Sequence, residues 1–487
     1  MRATLALSLT VALAASTHAA NSPCFAIHIV DNSTNRSIPL AELRTVSEAS
    51  FISDNAGRIA LTDPDLMNRP VWFHVSSPGY SLPKDGFGYT GVCLIAKPGT
   101  SAEIRLSRSQ PAERIARLTG LDRWRDSRLL NLPTPSLPSD PFGITGQDST
   151  QATPWHGRIF WLWGDTSIAS YPLGNFKTTC ATSDPIANPE NGFAFSYFPD
   201  PDKPDHLRAM MPREGPGVVW MQGLLNVPDP SGAEQLVAHW GRSPGLAPVV
   251  EQGIAVFNES LGIFQNRTPI PKDESWRFPR GHALRHNDHF YFASPLPHTR
   301  VKADFASVTQ PDAYEALRFN EPSNSWIWQR LNPPTTQKEE AALIAAGKLP
   351  ASSARFQITD ATTSNPVLIH GASVRWNPFR NRFLLIGVAT GTKTDPSFLG
   401  EIWFSEARSP DGPFTKAVKI ATHPAYSFYN PVHHPFMDQQ NGRIIHFEGT
   451  YTAEFSGNPR KTPRYDYNQI LYRLDLSHPA LTPALTP

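Results

Sequence analysis

Cysteine is scarce in this sequence. Its three cysteines, Cys24, Cys93 and Cys180, are too few for the disulfide framework that holds many small secreted domains together. An oxidising compartment still permits one bridge. Because Cys24 and Cys93 bracket the first predicted domain, we expect the bridge between them and a buried free thiol at Cys180.

An excess of charge of one sign is also lacking. The chain has 44 Lys and Arg residues against 43 Asp and Glu residues, a formal net charge of +1, and no long run of either sign. Nucleic acids and anionic membranes attract proteins through basic clusters, which this sequence does not have. We therefore expect neither partner, and we expect the chain to be a monomer.

Long apolar runs are missing, so no segment predicts a membrane-spanning helix of about 20 residues. Residues 1–20 instead combine Arg2, a short apolar stretch from Leu5 to Ala15, and the small residues Ala19 and Ala20. This order is typical of a cleaved secretory signal. The sequence therefore predicts a secreted or periplasmic protein.

Proline, glycine and aromatic residues are abundant. The 48 prolines, 31 glycines, 12 tryptophans and 27 phenylalanines are typical of many short strands joined by turns. At 487 residues the chain exceeds what one hydrophobic core usually serves. We therefore predict an all-β protein with an N-terminal β-sandwich followed by a five-bladed β-propeller.

The predicted sandwich occupies residues 21–107. Apolar and polar residues alternate there, for example in Cys24–Val30 and Val71–Val75, and turns such as Asp54–Gly57 separate the segments. This pattern predicts about seven antiparallel strands. The strand and turn rhythm resembles the transthyretin-like or carboxypeptidase-regulatory-like domain, which implies a spacer. No catalytic constellation is evident in it.

Residues 108–142 predict a connection between the two domains. Pro111–Gly120 has good helix formers, a proline near its start and a glycine at its end, so we expect a short helix there. The proline-rich stretch Leu132–Pro141 predicts a stiff linker.

A repeating unit fills residues 143–478, and residues 479–487 form a tail. Each unit has a first strand that begins with polar residues, an aromatic-rich second strand and a third strand. Five such units predict five blades. The units begin near Gly146, Gly217, Arg280, His370 and Tyr429. Lys338–Ala346, rich in Glu and Ala, predicts a helical insertion between the third and fourth units.

Polar side chains at the starts of the first strands converge on the channel of a propeller, although they are far apart in sequence. This placement selects the candidate functional residues. They are Asp148, Asp165, Arg280, His282, His370, Glu401, Tyr429, Asn430, His433, His434 and Glu448.

Three short segments that contain or border these candidates resemble segments of the five-bladed glycosidase superfamily, which includes arabinanases, xylosidases, fructosidases and endo-D-arabinanases. They are Gln147-Asp148, Gly164-Asp165-Thr166 after an aromatic strand, and Glu401–Ser405 leading to Ser409–Pro413. The resemblance covers roughly residues 143–478. It implies a carbohydrate-active enzyme, a glycoside hydrolase acting on a polysaccharide or oligosaccharide.

The resemblance also implies roles. Such enzymes carry an aspartate on the first blade as base or nucleophile, and Asp148 matches by position. Their general acid is usually a glutamate on a later blade; Glu448 and Glu401 are rival candidates, because neither follows the family pattern cleanly. Asp165 would tune or orient the site. Hydrolysis needs one carboxylate ionised and another protonated near neutral pH. The structural alternative is that Asp165 and Glu448 bond backbone N–H groups at blade ends.

The histidines leave other functions open. His282, His370, His433 and His434 lie at first-strand starts, where imidazoles line a cavity, hold sugar hydroxyls or bind a central metal ion. No cofactor is required by the sequence. A polysaccharide lyase would instead use His433 or His434 with Tyr429 to abstract a proton, and Arg280 or Arg285 to neutralise a uronate carboxylate. A non-catalytic glycan-binding propeller is the third alternative.

Overall fold

The structure is a computed structural model that describes residues 23–137, 140–175, 178–245, 248–390, 398–453, 456–457 and 461–484. It is all-β, as the sequence predicts. The predicted signal, residues 1–20, lies outside the described residues. Within the described part of the chain, no helix is long and apolar enough to cross a membrane.

The first domain is a β-sandwich. Its strands are β1 (Phe25–Asp31), β2 (Glu42–Thr45), β3 (Ser50–Ile52), β4 (Arg58–Leu61), β5 (Pro70–Ser76), β6 (Tyr80–Ser81), β7 (Gly91–Ile95) and β8 (Ser101–Arg108). They form two sheets, ordered β4-β1-β8-β6 and β3-β2-β5-β7. Alternate residues such as Ile27, Leu43 and Phe73 fill the core between them. The predicted sandwich is confirmed, but it has eight strands in place of about seven, and β1 pairs with β8 in parallel where antiparallel pairing was expected. Its likeness to transthyretin-like domains stays a prediction.

The connection holds β9 (Glu113–Arg117) and α1 (Arg125–Leu129), and then the blades begin. The first contains β10 (Ile144–Gln147), β11 (Gln151–Trp155), β12 (Arg158–Trp163), β13 (Thr166–Ile168), β14 (Tyr171–Asn175), β15 (Thr179–Ser183) and β16 (Ser196–Tyr197). The blade sheet itself is β11-β12-β15-β16, and β10-β13-β14 is a small separate sheet. The second blade is β17 (Val218–Pro228), β18 (Glu234–Ser243), β19 (Glu251–Asn258) and β20 (Ile263–Ile270).

The third blade carries the insertion that precedes the fourth. It consists of β21 (His282–His286), β22 (His289–Ala293), β23 (Thr299–Lys302), α2 (Phe305–Val308), β24 (Glu315–Asn320) and β25 (Ser325–Gln329), and α3 (Gln337–Ala345) follows. Helix α3 confirms the predicted helical insertion. The Thr336 side chain caps its first turn, and Glu339 completes a reciprocal capping box.

The last two blades complete the ring. The fourth contains β26 (Thr359–Asp360), β27 (Ile369–Asn377), β28 (Arg382–Ala389), β29 (Glu401–Ala407) and β30 (Lys416–Thr422). The fifth contains β31 (Ser427–His433), β32 (Ile444–Thr452) and β33 (Asn468–Asp475). First strands β11, β17, β21, β27 and β31 contact one another in succession. The Ser149 N–H donates to Thr450 Oγ1 at 3.2 Å, which joins the fifth blade to the first. The predicted five-bladed propeller is confirmed.

The helix expected over residues 111–120 is wrong. Glu113–Arg117 instead forms β9, which pairs antiparallel with β33 as the outermost strand of the fifth blade. All five of its residues are buried. Local helix propensity is a weak preference of at most about 1 kcal/mol per residue, and the unpaired edge of β33 outweighs it.

The expected disulfide is also wrong. Cys24 is buried, Cys93 is exposed on the outer face of its sheet, and neither forms a disulfide. Cys24 packs with Ala60 and Leu130, whereas Cys93 lies opposite Trp72 on the neighbouring strand. The two thiols therefore belong to different surroundings. Cys180 is a buried free thiol, as expected.

Sandwich and propeller share a hydrophobic core. Leu40 and Ile52 of the first domain pack in one cluster with Ile420 and Phe428 of the last two blades. Arg114, on β9, is buried and donates to the carbonyl oxygens of Pro39 and Pro78, each at 2.9 Å, and to the Ser77 hydroxyl. These contacts fix the first domain against the fifth blade.

Candidate active site

Two carboxylates meet where the first blade begins. Asp148 follows β10, and Asp165 follows the aromatic strand β12. The Asp148 N–H donates to the Asp165 carbonyl oxygen at 3.1 Å, and the Gly164 N–H donates to the Asp148 carbonyl oxygen at 2.9 Å. The Asp165 N–H also donates to Asp148 Oδ1 at 2.8 Å. Backbone pairing therefore holds the two residues side by side.

Gly164 is required for this close approach. A Cβ atom at residue 164 would lie 2.3 Å from Asp148 Oδ1, well inside van der Waals contact. The Asp148 carboxyl therefore occupies the space that any other residue type would fill. This explains why glycine separates the aromatic strand from Asp165.

The environment of Asp148 favours its protonated form. Burial, and then the negative charge of Asp165, raises the pKa of Asp148 to about 7, against hydrogen bonds from the Asp165 N–H, Tyr467 and Ser149 that lower it. Asp165 has a different partner, because the indole N–H of Trp220 donates to its Oδ1 at 2.8 Å. Hydrogen bonding of this kind favours an ionised carboxylate.

The fifth blade contributes Tyr429 and Asn430. A bulge in β31 interrupts the pairing with β32 between Tyr429 and Val432, and Asn430 adopts a positive φ of 47°. The Asn430 amide donates to Ser149 Oγ at 2.6 Å. Burial and the charges of Asp148 and Asp165 raise the pKa of Tyr429. These sequence-predicted residues therefore lie together with the two aspartates.

Glu448 lies in a closed part of the propeller. It is 1% exposed, its Oε1 lies 2.6 Å from His434 Nε2, and Thr150 donates to its Oε2 at 3.3 Å. Burial raises the pKa of Glu448 to about 8 and holds the pKa of His434 well below its usual range. We therefore describe the pair as a protonated carboxyl donating to a neutral imidazole.

His433 is buried and paired with a carboxyl group, as His434 is. Its side chain is fully buried, and its Nε2 lies 2.9 Å and 3.1 Å from the two carboxylate oxygens of Asp438. Both histidines proposed for a lyase therefore bind carboxyl groups of the protein and do not reach the solvent.

The remaining predicted residues are spread over the third and fourth blades. Glu401 begins β29, a third strand, and accepts from Lys419 Nζ of β30 at 2.6 Å. His370 is exposed on β27. His282 begins β21 and is 9% exposed, and burial lowers its pKa to about 3. Arg280 precedes β21 and donates from Nη1 to the Ser275 carbonyl oxygen at 2.6 Å. Among the described residues, no hydrogen bond connects any of these four side chains to Asp148.

Sequence reasoning did not assign Trp220, Ser149 or Tyr467 to the site. Trp220 lies near the start of β17, and only this position distinguishes it from tryptophans that pack between blades. Ser149 and Tyr467 carry no sequence signal beyond their nearness to Asp148 and to β33. Among the described residues, no group of three or more His, Cys, Asp or Glu side chains is placed to hold a metal ion.

No protein-family model matches the chain, and a search of curated proteins finds no match. Among solved structures, an exo-β-1,3-galactanase from Phanerochaete chrysosporium has 12% sequence identity and a TM-score of 0.38, covering 71% of this chain and 64% of its own. An exo-1,5-α-L-arabinanase from a bovine ruminal metagenomic library has 7% identity and a TM-score of 0.35, with 70% and 95% covered.

The α-L-arabinanase of Cellvibrio cellulosa has 9% identity to this chain and a TM-score of 0.34, with 68% of this chain and 92% of the arabinanase covered. Similarity this low transfers no activity. The function therefore has to be argued from the residues of the site.

Proposed function

We propose that the protein is a glycoside hydrolase acting on a polysaccharide and that Asp148 and Asp165 are its catalytic carboxyl pair. The observation that carries this proposal is the contrast between two adjacent carboxyl groups. Burial and a neighbouring charge favour a proton on Asp148, whereas Asp165 accepts from the Trp220 indole. Glycoside hydrolysis requires this combination of one protonated and one ionised carboxyl.

The roles follow from the two environments. Asp148 donates its proton to the glycosidic oxygen as the general acid. Because Asp148 Oδ1 already accepts the Asp165 N–H, the proton is carried on Oδ2. Asp165 activates a water molecule or attacks the anomeric carbon itself, and the anomeric configuration of the first product distinguishes these two courses. This assignment differs from the roles expected from the sequence, where Asp148 was the base or nucleophile, Asp165 tuned or oriented the site, and Glu448 or Glu401 was the general acid.

Neither glutamate is part of the proposal. Glu448 is 1% exposed and bound to His434, so a glycosidic oxygen has no path to its proton. The Glu401 carboxylate is engaged in an ion pair with Lys419 at 2.6 Å, and no hydrogen bond among the described residues links it to Asp148. The arrangement of His433 and His434 likewise gives no specific support to a lyase, because both imidazoles are enclosed.

The proposal is tested with a panel of arabinan, xylan, galactan and fructan in a reducing-end assay. We expect Asp148→Asn and Asp165→Asn each to lower kcat on the cleaved polymer by about 1,000-fold or more. Glu401→Gln is the matched control and should keep the activity of the parent protein.

Full activity in Asp148→Asn would exclude the proposed acid. A product that absorbs in the ultraviolet as an unsaturated sugar would replace the hydrolase with a lyase. Glycan binding without cleavage of any polymer would show that the protein is a non-catalytic glycan-binding propeller.

We also propose that the protein is exported, on the pattern of residues 1–20. N-terminal sequencing of the protein recovered outside the cytoplasm should then begin close to Asn21. Recovery of intact Met1 in the extracellular or periplasmic fraction would contradict cleavage.

A further inference from the structure

A cavity lies between first strands of the propeller, on strand segments other than those that carry the two aspartates. It has a volume of about 380 Å³, and residues of β11, β17, β21 and β27, the first strands of four successive blades, line it. A single water molecule accounts for roughly 30 Å³ of liquid. The cavity is therefore large enough for a small ligand together with bound water.

The charges that line this cavity have one sign. Arg285 and Arg375 are its charged lining residues, and no Asp or Glu residue contributes to the wall. His282 also lines it, but burial and the charge of Arg375 lower the pKa of His282 to about 3, so the imidazole is neutral. The described residues therefore place two positive charges and no negative charge around the space.

Arg375 is held in place without a carboxylate partner. Its Nη1 donates to the carbonyl oxygens of Ala283 and Val374, both at 2.9 Å. No Asp or Glu oxygen among the described residues lies within ion-pair distance of Arg375 or Arg285. Burial lowers the pKa of Arg375 to about 10, against the charge of the Asp438 carboxylate, which raises it, so the guanidinium is charged at neutral pH. Asp438 binds His433 and does not line the cavity, so the two guanidinium groups of the wall still favour a further counter-charge.

Polar groups of the wall supply further hydrogen bonds. Gln151 accepts from the Leu224 N–H at 2.8 Å through Oε1, which leaves its amide NH2 group as a donor. Asn226 donates to the Pro154 carbonyl oxygen at 3.0 Å, and its Oδ1 is a buried acceptor without a partner among the described residues. The cavity therefore offers cationic donors together with one acceptor that needs a hydroxyl group or a water molecule.

We propose that this cavity is a binding site for an oxyanion, held by Arg375, Arg285 and the Gln151 amide, with Asn226 Oδ1 accepting from an accompanying water molecule or sugar hydroxyl. The oxyanion is either an inorganic ion with its water or the carboxylate of a sugar acid, and both present the same chemistry to a planar guanidinium. The site is independent of the proposed hydrolysis at Asp148 and Asp165. An anion bound there would neutralise the charge that the first strands of the third and fourth blades bring together.

Calorimetric titration of the full chain tests the site, with sulfate, D-glucuronate and neutral glucose as titrants. We expect saturable binding of one anion per chain and no binding of glucose. Stronger binding of sulfate would identify an inorganic ion as the ligand, and stronger binding of glucuronate would identify a sugar acid. Absence of saturable binding by either anion, or equal binding of glucose, would overturn the proposal.

Three variants locate the binding. Arg375→Gln and Arg285→Gln should each raise the dissociation constant of the anion at least tenfold, which is about 1.4 kcal/mol of binding free energy. Arg267→Gln is the matched control, because Arg267 is an exposed arginine that lines a different cavity. It should leave the dissociation constant unchanged.

Stability provides a second measurement. Excess anion should raise the Tm of the parent protein and of Arg267→Gln, and it should raise the Tm of Arg285→Gln less. Since Arg285 is exposed, this variant should fold even if Arg375→Gln does not. Undiminished anion binding in Arg285→Gln and equal losses in all three variants would each assign the binding to the general surface and overturn the site.

Discussion

Asp148 keeps its proton up to about neutral pH because the protein buries its carboxyl group and places Asp165 beside it. With a pKa of about 7, the carboxyl is protonated below that pH and ionised above it. As a general acid it is active only when protonated, so kcat/KM should fall about tenfold per pH unit as the pH rises above about 7. A pH profile on the cleaved polymer measures this, and Glu401→Gln should show the same profile. An alkaline plateau at full activity would contradict the acid role.

Glu448 makes a second prediction at the scale of one residue. Its pKa is raised from the usual value of 4.5 to about 8, so the folded protein keeps a proton that the unfolded chain loses. The stability from this protonated pair is present below about pH 4.5 and is lost as the pH rises through about 8, at no more than about 1.4 kcal/mol per pH unit.

Glu448→Gln should remove this slope, because the amide still donates to His434 Nε2 but does not titrate. Urea denaturation across this pH range measures the free energy of unfolding of both proteins. We expect the variant to be the more stable protein at alkaline pH. Parallel curves for the two proteins would show that the carboxyl is already ionised in the folded state.

At the scale of the element, β9 makes the outer edge of the fifth blade. Ala116 is fully buried and lies opposite Leu471 of β33. Ala116→Pro removes a backbone N–H and should cost about 3 kcal/mol or more of unfolding free energy. Ser136→Pro, at an exposed position of the linker, is the control and should be nearly neutral. Thermal denaturation distinguishes the two, and equal Tm values would show that β9 does not support the blade.

The same element shows what sequence reasoning finds and what it misses. The second strands of the blades, β12 and β28 among them, are predicted by the sequence because burial imposes a local pattern on each of them. β9 is not, because its partner β33 is some 350 residues away and only tertiary pairing overrides the helix-forming composition.

For a related reason, the sequence predicts only part of the candidate site. Asp148 and Asp165 follow strand ends, which the sequence marks, and the structure places them together. The enclosure of Glu448 and the indole donor of Trp220 depend on neighbouring blades. No local pattern encodes contacts between blades, so the sequence alone does not predict these environments or the protonation that follows from them.

For the whole molecule, the shared core predicts that sandwich and propeller unfold together. Arg114 donates to three acceptors of the first domain from a strand of the last blade. Scanning calorimetry should therefore give one transition whose calorimetric and van't Hoff enthalpies agree. Arg114→Gln leaves buried acceptors unpaired and should lower the stability by about 3 kcal/mol. Two separate transitions in the parent protein would show that the domains are independent.

The pairing of β9 with β33 also sets the order in which the protein is completed during synthesis. Arg473 of β33 binds Glu113 of β9 across 360 residues of chain. A ribosome therefore makes the sandwich and β9 first, and β9 lacks its neighbour until β33 has been synthesised. Contacts this distant form slowly and leave an unpaired edge on the nascent chain. The ring closes only once β33 has been made, so the interval before that is the period in which a chaperone is most needed.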